Sequence, residues 1–200
     1  MLPICICMAH TRISSRRQRE YLTPDEVSKL LDAVKIVSRN KIRDHCLLLL
    51  MYRHGLRVSE LCQLKLSDVN LELGELYVNR LKGSDAGPHP LFNGESAAIR
   101  RWLKERQALG CPESVHTLFI SERRQPMCRF TINKLIDKVA DAAGLATLDV
   151  HPHTMRHSCG YSLVNKGTDI RVIQSYLGHR SISSTVRYTK LNHKQFANLF

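Results

Sequence analysis

The sequence predicts an α+β fold, mainly α-helical, with one small antiparallel sheet inserted near its middle. Three observations carry this. A helix start at Thr23 opens a face of apolar residues at helical spacing. Between Val69 and Arg80 the apolar period changes to two. From about Gly94 onward the helical period returns. A helix repeats every 3.6 residues and a strand every two, so the switch marks where the backbone changes type.

Thr23-Pro24-Asp25-Glu26 combines an N-cap, a proline at the first helical position and a glutamate closing a capping box. Val27, Leu30, Leu31 and Val34 then fall on one face. A second helix, rich in leucine, is expected from Lys41 to His54, stopped by Gly55. A short helix carrying Val58, Leu61 and Leu64 follows.

Val69, Leu71 and Leu73 alternate with polar residues, Gly74 turns the chain, and Leu76, Val78 and Arg80 continue. Residues 83–87 form a second turn, from which His89-Pro90-Leu91 returns as an edge segment. Ala98, Trp102 and Leu109 lead to Gly110; Ile132, Leu135, Ile136 and Val139 point inward from a helix over Phe130–Ala143, capped by Gly144. His153 is expected to precede a helix reaching about Asn165 and ended by Gly167. Thr168 is expected to cap the next, with Ile170, Val172, Ile173 and Leu177, ended by Gly178. A last helix is expected from His193 to Phe200.

Residues 1–21 lack helical periodicity and carry Arg12, Arg16, Arg17 and Arg19, which reads as a basic N-terminal arm. Residues 22–200 read as one domain, with no separate N-terminal domain before it. Across 200 residues there are 30 Lys+Arg against 18 Asp+Glu, a formal net charge of +12, so the partner is expected to be a polyanion such as nucleic acid. The longest apolar run, Cys46 to Met51, is too short to cross a membrane, and no basic amphipathic helix suggests a membrane surface. The apolar start precedes its basic residues, the reverse of a secretory signal. Seven cysteines without paired CxxC spacing read as reduced, packed thiols of a cytoplasmic protein. Cys5-x-Cys7 with His10 lacks a second half-site, and His151, His153 and His157 lack a carboxylate or thiolate to complete a zinc set, with Arg156 between them. No metal or other cofactor is expected.

The chemistry concentrates in a few residues. Arg57 follows a glycine stop and precedes a helix, so guanidinium and helix dipole both favour a phosphate there; Glu60 can brace it, and a plain surface pair with Glu60 is the alternative. Lys82 sits beside a hairpin turn, either as a solvated lysine or as a proton donor reaching into a groove. His153 and Arg156, three apart at a helix start, can reach one ligand. His179 follows the glycine that ends a helix, leaving its ring exposed on a loop, and Tyr188 lies nine residues later. Two arginines, a lysine, two histidines and a hydroxyl nucleophile are what phosphoryl transfer without a metal requires.

As an ordered set, Gly55-Leu56-Arg57-Val58-Ser59-Glu60-Leu61, Arg80-Leu81-Lys82-Gly83, His151-Pro152-His153-Thr154-Met155-Arg156-His157, Leu177-Gly178-His179 and Thr185-Val186-Arg187-Tyr188 resemble the tyrosine recombinases of the lambda-integrase family. The resemblance spans Leu22 to Leu191. It implies Arg57 and Arg156 as a phosphate clamp, Glu60 as support for Arg57, and Lys82 as donor to the leaving 5′ oxygen. It implies His153 as general base, His179 as a hydrogen-bond donor to the phosphate, and Tyr188 as nucleophile of a 3′-phosphotyrosyl link. It further implies double-stranded DNA with inverted-repeat sites as substrate, and a homotetramer on paired sites in which the tail from Asn192 docks on a neighbouring protomer. Action at the bacterial nucleoid, with DNA-bending accessory proteins, follows from the same likeness. The short form resembles the recombinases that invert fimbrial promoter switches. Two other readings stay open: a type IB topoisomerase-like enzyme, and a regulator that binds DNA with this fold without cutting it.

Overall fold

The computed structural model describes residues 19–80 and 86–189. Eight helices and a three-stranded sheet lie within them: α1 Pro24–Val37, α2 Lys41–Arg53, α3 Val58–Gln63, β1 Val69–Asn70, β2 Glu75–Val78, β3 Gly87–Pro90, α4 Asn93–Ala108, α5 Arg129–Ala142, α6 Pro152–Asn165, α7 Ile170–Leu177 and α8 Ser183–Thr189. Lys82 and the expected helix from His193 lie outside the described residues, as does most of the arm.

The first helix starts as its capping box dictates. Thr23 Oγ1 accepts from the Glu26 backbone N–H at 3.3 Å, and Glu26 Oε2 accepts in return from the Thr23 N–H at 2.7 Å. The leucine-rich α2 is the centre of the molecule. Cys46, Leu47, Leu48, Leu50 and Met51 are all fully buried, because α1, α4 and α6 cover it on different sides. That is why the middle of this helix, Cys46 to Met51, is apolar all round. Trp102 of α4 fills the other side of the core, its indole N–H donating to Leu118 O at 2.9 Å.

The sheet is antiparallel in the order β1-β2-β3, with Leu76 opposite Val69 on one side and His89 on the other. It departs from the expected pattern at Leu71 and Leu73. These do not extend the first strand; Leu73 is 71% exposed in the turn. Asn70 Oδ1 accepts from the Glu72 and Leu73 N–H groups at 3.1 and 2.9 Å, closing an Asx turn that ends the strand after two residues. Leu109, which leads to Gly110 as expected, is the C-cap of α4 and 38% exposed.

Two helix starts differ from expectation, and one helix was not expected. The helix bearing His153 begins at Pro152, so His153 lies inside its first turn; His151 is the cap, its Nδ1 accepting from His153 N–H at 3.2 Å. The cap of α7 is Asp169, not Thr168: Oδ1 of Asp169 accepts from Arg171 N–H at 2.8 Å. The segment holding Tyr188 is helical (α8), although Ser183-Ser184-Thr185-Val186-Arg187-Tyr188-Thr189 offers little helix propensity. Its contacts with α6 and α7 hold it.

Candidate active site

Two glycines at helix ends create the meeting point. Gly55 after α2 and Gly178 after α7 have φ of +55° and +63°, left-handed turns that let both helices stop abruptly and expose their last carbonyls. An added Cβ at Gly55 would stand 2.4 Å from Leu177 Cδ2, so the two ends touch.

Two arginines read those carbonyls. Arg156 of α6 is 1% exposed; its Nη1 donates to Gly55 O at 2.6 Å and its Nη2 to Leu177 O. Arg57, the N-cap of α3, donates through Nη2 to Gly178 O at 3.2 Å and through Nη1 to Glu60 Oε1 at 2.6 Å. The two guanidiniums are thus fixed from opposite sides of one junction. Burial, then Arg57 and Arg80, push the Arg156 pKa down to about 10, which leaves it charged at neutral pH.

Glu60 is nine-tenths hidden or more and serves two cations. Its Oε2 accepts from the Arg57 N–H at 2.8 Å and from Arg80 Nη1 at 2.9 Å. Burial opposes its ionisation, but Arg80 and the Arg57 contacts outweigh this and hold its pKa below the usual carboxylate value. Arg80 was not singled out from the sequence. It donates also to His54 O at 3.0 Å and to Tyr176 O, so it ties the sheet to α2 and α7. A parity signal was there: Arg80 shares the inward face with Leu76 and Val78.

His153 faces an open cleft of about 490 Å³ that it lines with Arg57, Ser59, Asn133 and His151. Burial first, then Arg156, lower its pKa, so it is available as a neutral base. His179 differs from the loop-exposed ring expected: it is half-buried, with Nδ1 and Thr185 Oγ1 2.9 Å apart. Burial, then Arg156 and Arg57, push it down to about 4. Tyr188 is 2% exposed, its ring near-parallel to that of His179 at 6.2 Å. Burial pushes the phenol up to about 12, against the pull of Arg156 and Arg187.

The phenol oxygen lies 2.9 Å from His157 Nδ1. From the sequence His157 reads only as a candidate metal ligand; its position right after Arg156, on the inward side of α6, is the signal for another role. Gly160, one turn on, has no sequence signal at all. A Cβ there would lie 2.6 Å from Tyr188 Cε2, so its bare backbone makes the slot for the ring.

Five of the six expected groups therefore meet at the ends of α2, α3, α6, α7 and α8: Arg57, His153, Arg156, His179 and Tyr188. Such a site presents forked donors to a phosphate beside a hydroxyl and two neutral imidazoles.

Comparison with known proteins agrees with this geometry. Residues 20–195 match the phage integrase family. The chain is 42% identical over 183 residues to the type 1 fimbriae regulatory protein FimE of Escherichia coli K12, covering 92% of this chain and 91% of that one. It is 39% identical to FimB of the same strain, covering 94% and 92%. Among solved structures, XerA recombinase superposes with a TM-score of 0.78 at 31% identity, covering 92% of this chain and 65% of that one. The match to XerH bound to its difH substrate (TM-score 0.74, 24% identity, covering 90% and 52%) shows the shared fold. The chain belongs to the phage integrase family and is a tyrosine-type site-specific DNA recombinase.

Proposed function

We propose that this recombinase inverts a short DNA segment between inverted repeats, of the kind that switches a fimbrial promoter, and that Tyr188 is its nucleophile. The likeness to FimE and FimB along more than nine-tenths of their length supports the first part. The observation that carries the second is the placement of the phenol beside the His179 ring and within the field of Arg156.

The Tyr188 oxygen bonds to the scissile phosphorus while the bond from phosphorus to the 5′ oxygen breaks. His153 takes the phenolic proton as the hydroxyl turns from His157 toward the phosphate, and Lys82 protonates the departing 5′ oxygen. Arg57, Arg156 and His179 hold the non-bridging oxygens, on which negative charge gathers in the transition state. The 3′-phosphotyrosyl bond keeps the phosphodiester's free energy, so a 5′-hydroxyl from the partner duplex can reseal it by the reverse step. Four protomers act, one for each strand cut, and a protein that bends the intervening DNA assists their meeting.

A nicked suicide duplex carrying the repeats that flank the gene tests this. Wild-type protein traps as a covalent protein–DNA adduct, and Tyr188→Phe yields none while still shifting the duplex in a binding gel. Adducts formed by Tyr188→Phe would remove Tyr188 from its role. A plasmid with two inverted sites should then give inverted product; relaxation of a single duplex without inversion would point to a topoisomerase.

A further inference from the structure

Tyr188 has a second imidazole neighbour besides His179. Its hydroxyl meets Nδ1 of His157 at 2.9 Å, with the two rings 5.6 Å apart and inclined at 61°. His157 is 7% exposed, and the slot over Gly160 fixes where the phenol ring can lie. On the far side of the imidazole, Nε2 is 3.9 Å from Glu20 Oε2, and that carboxylate pairs with Arg187 at 2.5 Å, the residue before the tyrosine. Glu20 stays in place because the segment after it is anchored. Leu22 N–H donates to the buried Ser158 Oγ at 2.7 Å, and Tyr21 stacks on Tyr161 at 3.8 Å.

Burial, then His153 and the nearby arginines, keep His157 neutral in the folded chain. A neutral imidazole has one N–H and one lone pair. A carboxylate beside Nε2 favours the proton there, which leaves the Nδ1 lone pair to the phenol. Carboxylate, imidazole and hydroxyl thus stand in the order by which a hydroxyl nucleophile is oriented in hydrolases. His153, with its ring 4.5 Å from that of His157 and set across it at 74°, lies toward the cleft instead. The two imidazoles of one helix turn face different partners.

We propose that His157 is a positioning residue for Tyr188, accepting the phenolic hydrogen bond through Nδ1, with Glu20 selecting its tautomer. The proposal rests on Tyr188 being the nucleophile.

Single-turnover cleavage of the nicked suicide duplex at saturating protein tests it, with affinity for the same duplex measured in parallel. His157→Leu should cleave at least about 30-fold more slowly, while affinity changes less than about twofold, because only alignment is lost. In His157→Asn the side-chain oxygen stands near the place of Nδ1, and at least about tenfold of that loss should return. A Leu variant cleaving at the wild-type rate, or Leu and Asn variants equally slow, would overturn the assignment. Should His157→Leu fail to bind the duplex, the Asn variant decides alone: less than about tenfold slower supports positioning, more refutes it. Absence of adduct from the wild-type protein would instead sink the nucleophile reading, so the two failures are distinguishable.

Discussion

Arg156 uses part of its fork on Gly55 O and Leu177 O before any ligand arrives. A guanidinium has more donors than these two contacts consume, so the rest can address a phosphate while the group stays fixed. A lysine keeps the charge and loses the fork. Arg156→Lys should therefore cut single-turnover cleavage by about 100-fold or more, with a smaller effect on duplex binding; near-normal cleavage would take Arg156 out of the clamp. At this scale the sequence was most legible where residue type and spacing carry chemistry. Arg57, Glu60, His153 and Arg156 stand out as charged or polar groups beside helix signals. Arg80 and His157 are the same residue types, but what distinguishes them is burial against partners distant in the chain, such as Tyr176 and Tyr188. Gly160 matters only because a ring lies over it.

Among the elements, those with local signals came out as read. The capping box at Thr23 starts α1, and Gly55, Gly144 and Gly178 follow the helices they were expected to end. The errors fell where two local signals compete or where none exists. Thr168 and Asp169 are both cap residues, and only the backbone geometry chooses Asp169. Asn70 stops β1 by a side-chain contact that the alternation of Leu71 and Leu73 conceals. Helix α8 is held by packing on α6 and α7 rather than by its own residues. The choice of cap is measurable. Asp169→Ala should cost about 1 kcal/mol in denaturant unfolding, and Thr168→Ala markedly less; the opposite order would reassign the cap.

Across the whole molecule, buried imidazoles set a pH limit on stability. His54 and His157 are each pushed down to about 3 by burial first, and His89 likewise. In the unfolded chain each returns to an ordinary value near 6.5. Between those values the unfolded chain binds more protons, so stability is complete above about pH 6.5 and is lost as pH falls toward 3. By pH 5 each such histidine costs roughly 2 kcal/mol. The denaturant midpoint should fall steeply from pH 7 to 5, and His54→Phe should flatten that fall; a midpoint independent of pH would show that these rings are solvated.

The junction held by Arg156 and Arg57 also has a temporal meaning. Its contacts join residues 101 and 121 positions apart, and Leu22 closes onto Ser158 across 136. Contacts so remote in the chain form late, after loop-closure entropy has been overcome. On the roles proposed for Tyr188, Arg57 and Arg156, a half-folded copy carries its phenol without the clamp that would activate a phosphate. For an enzyme that cuts and rejoins DNA, a clamp assembled only on completion of the tertiary structure would be a safeguard, because a chain that has not finished folding would lack the groups proposed to cut.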